Sequence, residues 1–257
     1  MISYIDTHTH LYLKEFDKDR DQVVQQALDA GVDRMLLPNV DEQTIQPMMD
    51  LHKRYPAHCL PMMGLHPTSV KPGYEHLLQK MEPWFEQRLA IAVGESGIDL
   101  YWDQTYKQPQ IDSLRQHIKW ALDFDLPLVI HSRNSVEEIM TVMDEYRGSG
   151  LRGVMHCFPG NVEQAQWFVD MGFVLGIGGV VTYKNSEMMK VARAIPLQHL
   201  ILETDAPYLP PVPYRGKRNQ SAYIPHVAQK IADLKNVEVA EVAQVTTCAA
   251  KNLFNLS

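Results

Sequence analysis

LVIH, residues 128–131, is a short aliphatic run that ends in a histidine. Its continuous apolar character suits a strand covered on both faces, which is the situation of a parallel sheet wrapped by helices. The same shape returns along the chain as GVMH (153–156), LILE (200–203) and SYID (3–6), the last followed at once by His8 and His10. Further strand candidates lie at 34–37 (RMLL), 59–63 (CLPMM), 90–94 (AIAVG) and 173–177 (FVLGI), which makes eight.

Helix-length amphipathic segments alternate with these runs. Ile111, Leu114, Ile118, Ala121 and Leu122 form one stripe at helical spacing, and Val136, Ile139 and Met143 form another. Ser135-x-x-Glu138 reads as a capping box, Asn161 as a helix cap, and Gly31 and Gly172 as left-handed helix ends. Two more helical patterns, at about 222–235 and 238–254, follow a loop crowded with Pro207, Pro210, Pro211 and Pro213. Met48, Met49, Met188 and Met189 read as core filling. Successive βα units without a linker or an internal repeat predict one α/β domain over 1–257, a distorted TIM (β/α)₈ barrel.

Composition narrows the function. The 257 residues carry 24 Lys+Arg against 31 Asp+Glu, a net charge of −7, so any polyanion must be held locally rather than by the field of the whole molecule. Three cysteines, Cys59, Cys157 and Cys248, show neither a disulfide framework nor metal-knuckle spacing. With no signal-peptide pattern and no membrane-length apolar run, a cytoplasmic protein without a membrane role or an obligate protein partner is expected.

The uncommon polar residues fall at the C-terminal ends of the strands: His8 and His10, His66, Glu95, His131, His156, and Glu203 with Asp205. In a parallel barrel those ends converge on one mouth, where active sites form. His8, His10, Glu95, His131, His156 and Asp205 offer six donors, more than one ion needs, so two divalent ions are expected with a carboxylate between them. Two ions flanking a water suit hydrolysis.

The ordered motifs YIDTHTHL (4–11), GLHP (64–67), VGESGIDL (93–100), PLVIHSR (127–133), MHCFPG (155–160), LILETDAPYL (200–209) and RGKRN (215–219) resemble the TatD family of metal-dependent hydrolases over essentially the whole chain. The resemblance implies a first metal at His8, His10 and Asp205, a second at His131 and His156, and Glu95 bridging them. Asp205 is then also the residue that orients or deprotonates the water. It implies magnesium, manganese or zinc as the metal, and a 3'-5' exodeoxyribonuclease acting on DNA ends or short oligonucleotides. Tyr12, Ser96, Ser135 and Ser221 depart from the usual family pattern without removing a ligand.

Other residues carry two readings each. Glu203 steers a histidine or meets substrate, and His66 either donates to a phosphate or leaving oxygen or simply packs. Arg133 clamps a phosphate or pairs with a loop acid. Arg215, Lys217 and Arg218 hold a polyanion end or form a solvated loop. Tyr101, Trp102, Tyr208 and Tyr214 stack on bases or cover the core. The glycines of GIGG (176–179) lack nucleotide-loop spacing and are expected to let the seventh strand approach the metals. Two competing functions are a binuclear hydrolase of a carbonyl substrate, such as a cyclic amide or aminoacyl ester, and a metal-binding scaffold without activity. Glu95 at the bridge, where many amide-cleaving relatives of the barrel use a modified lysine, favours the phosphodiester.

Overall fold

A computed structural model describes residues 2–101 and 103–256. Among these described residues, eight parallel strands alternate with helices. They are β1 (Tyr4–Asp6), β2 (Val32–Pro38), β3 (Cys59–Met62), β4 (Val93–Asp99), β5 (Leu128–Arg133), β6 (Gly153–Met155), β7 (Phe173–Ile177) and β8 (Leu200–Leu202). Helices α1 (Arg20–Asp29), α2 (Glu42–Arg54), α3 (Tyr74–Glu86), α4 (Lys107–Asp123), α5 (Val136–Asp144), α6 (Val162–Asp170) and α7 (Glu187–Ala194) join them, and α8 (Ile224–Lys235) and α9 (Val239–Phe254) follow β8. This is a distorted (β/α)₈ barrel.

The distortion has a location. Hydrogen-bonded pairing runs β1-β2-β3 and, separately, β4-β5-β6-β7-β8. Two seams close the ring through single bridges, Met63 with Val93 and Thr9 with Ala206. At the β8/β1 seam the Thr7 N–H donates to the Leu202 carbonyl at 3.0 Å and the His10 N–H to the Ala206 carbonyl at 2.8 Å. Asp6 fastens it further, accepting from the Thr204 N–H at 2.9 Å and the Thr204 hydroxyl at 2.6 Å. Burial pushes the Asp6 carboxyl up to about 7 against these hydrogen bonds.

Ile5, Leu36, Met62, Val129, Val154 and Ile201, each from a different strand, pack with Ala250, Leu253 and Phe254 of α9. Val129, Val154 and Ile201 each stand two residues before a polar one, His131, His156 and Glu203, so strand alternation puts both on the inner face. The apolar layer thus lies beneath the polar mouth, and the last helix closes the opposite end.

Several expectations need correction. The fourth strand is 93–99, not 90–94, so Glu95 lies inside it and Asp99 ends it. Ser135 makes no capping box; its hydroxyl donates to the Ile98 carbonyl at 2.5 Å, and Glu138 pairs with Lys107 at 2.8 Å. The capping box forms instead at Asn161 with Gln164, and another at Asp41 with Thr44. Gly31 and Gly172 do take left-handed backbone, with φ of 84° and 90°. Gly176 serves a different neighbour from the one expected: a Cβ there would stand 2.2 Å from Glu203 Oε2, so the glycine makes room for a carboxylate. No helix among the described residues is long and apolar enough to cross a membrane.

Candidate metal centre

The donors reach the mouth either from within a strand, as Glu95 does from β4, or from the residues just after one. His8 and His10 follow β1, and His131 projects from within β5 two residues after Val129. His156 comes immediately after β6, and Glu203 after β8. Asp205 adopts left-handed backbone, φ 56°, a conformation that aspartate tolerates better than most residues, and its N–H donates to the His8 carbonyl at 2.9 Å.

Glu95 organises the site, because its two oxygens face different imidazoles. Oε2 lies 3.1 Å from His8 Nε2 and 3.8 Å from His10 Nε2. Oε1 lies 3.0 Å from His131 Nδ1, 3.6 Å from His66 Nε2 and 3.9 Å from His156 Nε2. Asp205 Oδ1 stands between the two sets, 3.4 Å from His10 Nε2, 3.8 Å from His156 Nε2 and 4.0 Å from His8 Nε2. The rings of His8 and His156 stack at 3.4 Å, so the two sets touch.

Donor atoms converge to ligand spacing in three overlapping groups: His8, His10 and Glu95; His8, His156 and Asp205; His66, Glu95 and His131. The third contains His66 where the resemblance implied His156. Its environment argues against a ligand role: the Thr68 N–H donates to His66 Nδ1 at 3.2 Å, and a backbone N–H can only donate. Nδ1 is therefore unprotonated. Burial pushes the ring down to about 3, so it is neutral, and its one proton sits on Nε2, facing Glu95. His66 is thus a hydrogen-bond donor aimed into the centre.

The electrostatics call for cations. Burial opposes charge on His156, yet Glu203, Asp205 and Glu95 around it push it up to about 10. Burial likewise opposes charge on His131, and its hydrogen bonds to Asp99 and Glu95 outweigh that, raising it. Burial would raise Glu95, but His8 beside it and the hydrogen bonds from His131 and His8 hold it well below the usual carboxylate range. Among the described residues lining the cleft, Arg133 at the rim is the one fixed cation. Imidazole and carboxylate donors with excess negative charge fit a divalent ion, so these residues match the metal that the fold implies.

Behind the donors stand residues that fix them. Asp99 Oδ2 lies 3.1 Å from His131 Nε2. The sequence reading missed Asp99 because it ended the strand five residues early; a carboxylate closing VGESGID is the signal that was there. Glu203 Oε1 accepts the Cys157 N–H at 2.6 Å and lies 3.0 Å from His156 Nδ1, close enough for an ion pair though not aligned as a hydrogen bond. Tyr12 places its hydroxyl 2.8 Å from His10 Nδ1.

The mouth above this floor is a cleft of about 680 Å³ whose lining includes His10, His66, His131, Arg133, Tyr208 and Leu209. Arg133 lays its guanidinium 3.7 Å over the Tyr101 ring, and Tyr208 is half exposed, its ring 6.3 Å from that of His10. Arg215 and Arg218, expected at the substrate, do not line the cleft. Arg218 forms a two-pronged ion pair with Asp19 at 2.9 and 2.6 Å and donates to the Glu15 carbonyl at 2.7 Å. Arg215 lies 4.4 Å over the Tyr183 ring, and Tyr214 stacks on Tyr223 at 3.9 Å. Arg218 is thus held by the protein itself, while Arg215 and Lys217 stay exposed. Trp102 lies outside the described residues.

A parallel barrel carrying clustered histidines and carboxylates at its C-terminal mouth defines a metal-dependent hydrolase of the amidohydrolase-like class. Within that class the chain belongs to the TatD family: the family described as TatD related DNase matches residues 5–255. It is 36% identical over 253 residues to the uncharacterized metal-dependent hydrolase YabD of Bacillus subtilis (strain 168), covering 98% of this chain and 99% of that protein. It is 32% identical over 260 residues to the 3'-5' ssDNA/RNA exonuclease TatD of Salmonella typhimurium, covering 98% of each. The crystal structure of YjjV, a TatD homolog from Escherichia coli K12, superposes with a TM-score of 0.93 at 30% identity over 100% of both chains.

Proposed function

We propose that the protein is a two-metal phosphodiesterase that removes nucleotides from DNA ends or short oligonucleotides in the 3'-5' direction. The observation that carries this reading is the division of Glu95, one oxygen toward His8 and His10 and the other toward His131 and His156. A carboxylate so placed would help to hold two ions, one with His8 and His10 and the other with His131 and His156. When bound, the ions supply a nucleophile at neutral pH and stabilise charge on the attacking and leaving oxygens.

The chain's own residues do the rest. Asp205, between the two sets of imidazoles, orients the attacking water and takes its proton. His66 donates its Nε2–H to a substrate oxygen, and Arg133 at the rim pairs with a phosphate through its planar fork. Tyr208 offers an aromatic face to a terminal base. Glu203 keeps His156 in place. With Arg218 paired to Asp19 and Arg215 outside the lining, the cleft presents one guanidinium rather than a cationic track, which suits a chain end better than a long duplex. The 3'-5' exonuclease named among the relatives supports the same reading.

The test is metal-reconstituted protein incubated with end-labelled single- and double-stranded DNA, beside a chromogenic phosphodiester and a panel of esters and cyclic amides. Stepwise loss of nucleotides from the 3' end is expected. Turnover confined to the carbonyl substrates would replace the proposal with a carbonyl hydrolase.

A further inference from the structure

The two sides of Glu95 are backed by different chemistry. Behind His131 stands the buried carboxylate of Asp99, itself fixed by the Tyr101 N–H at 3.0 Å. Beside His156 stands the buried carboxylate of Glu203. On the other side, His8 Nδ1 is buried without a hydrogen-bond partner among the described residues. His10 Nδ1 meets the Tyr12 hydroxyl at 2.8 Å. Asp205 does not break this asymmetry, since its Oδ1 stands at similar distances from His10 and His156, 3.4 and 3.8 Å.

Tyr12 is 2% exposed and donates its hydroxyl hydrogen to the Pro38 carbonyl. Its oxygen is left to accept, so His10 carries its proton on Nδ1 and turns the Nε2 lone pair toward Glu95 and Asp205. A ligating imidazole gains basicity from the group behind it, and a carboxylate gives more than a neutral hydroxyl.

We infer that Tyr12 is a positioning residue for one half of the centre only: it aims His10, and because it is neutral, the half it serves is the weaker and more readily exchanged of the two. The inference rests on the two-ion reading given above. It makes the ion near His8 and His10 the one lost first on dilution or chelation.

The experiment titrates cobalt(II) into the full chain stripped by chelation, following heat and visible absorption. Two steps are expected, the second weaker by tenfold or more. Tyr12→Phe keeps the ring and removes the acceptor; it should weaken the weaker step by about 10–100-fold and leave the tighter one unchanged. Asp99→Asn should do the reverse. Equal steps in the wild type, or a Tyr12→Phe effect on both steps or on neither, would overturn the inference while leaving two ions in place. One ion in total would instead bring down the two-ion reading. Nitrogen-15 NMR of the metal-free wild type needs no variant and gives an independent check: His10 should carry its proton on Nδ1, and an Nε2–H tautomer would overturn the assignment to Tyr12.

Discussion

Glu95 is where single-residue chemistry matters most. Replacing it by glutamine keeps the shape and removes the charge shared by the two sets of imidazoles. Groups behind a metal ligand typically cost 10–100-fold when lost, so Glu95→Gln should cost roughly 100-fold or more in phosphodiester turnover. Bound metal should fall from two ions to one or none by elemental analysis; full activity with unchanged stoichiometry would remove Glu95 from the centre. Gly176 tests the support of the site from a distance. A methyl group there would stand 2.2 Å from Glu203 Oε2, so Gly176→Ala must displace that carboxylate. The Cys157 N–H and His156 then lose their common anchor. We expect a lowered Tm and a lowered kcat together, measured by calorimetry and steady-state kinetics, whereas Gly73→Ala, strained at its left-handed backbone but with open space around it, should lower Tm and leave kcat unchanged.

At the scale of the element, the loop that presents His66 depends on a helix behind it. The Leu65 N–H donates to His117 Nε2 at 3.0 Å, and His117 Nδ1 lies 2.7 Å from the Ser113 carbonyl, one turn earlier in α4. Both ring nitrogens are used by the neutral form, and burial pushes His117 down to about 4. Between pH 6.5 and 4 the unfolded chain therefore binds the proton that the folded chain refuses, so this residue makes stability rise with pH over that window. Below about pH 4 its contribution flattens. The penalty at the acid end amounts to about 3 kcal/mol. Asp6, raised to about 7, slopes the other way, so the prediction concerns the difference between wild type and His117→Gln in Tm against pH. That difference should shift steadily between pH 6.5 and 4, and a constant offset would exclude His117 as its source.

Elements also show what could be read from the chain and what could not. LVIH, GVMH and FVLGI carry aliphatic residues whose strand preference is local, and they were found within a residue or two. VGESGID has two glycines, a glutamate, a serine and an aspartate, none of which favours a strand, yet all seven residues are buried in β4. Pairing with β5 makes it a strand, and pairing is invisible in a single segment. The same blindness hid Asp99. Strand-end position holds for four of the six ligand candidates, His8, His10, His156 and Asp205, because that rule concerns topology, whereas Glu95 and His131 lie within longer strands than the sequence suggests. The rule could not tell that Ser135 turns inward to Ile98, or that Arg218 is engaged by Asp19, because those depend on which loop lies beside which.

At the scale of the whole molecule, the donors do not sit on one continuous sheet. His8 and His10 lie on one side of the β8/β1 seam and Asp205 on the other, and Glu95 stands in the second sheet, across the β3/β4 seam from the sheet that carries His8 and His10. An ion gripped from both banks would act as a rivet through a barrel whose staves are joined there by isolated bridges and a few hydrogen bonds rather than by a full ladder. Stripping the metal should therefore loosen the molecule unevenly. In hydrogen exchange, the amides of Thr7, His10, Gly94 and Asp205, which cross those joints, should lose protection first, while those inside the β5–β7 ladder keep theirs. Uniform loss across all eight strands would mean that the ring is one mechanical unit after all. In a protein built this way, the availability of metal in the surroundings sets the tightness of the cask as well as the rate of the chemistry in its mouth.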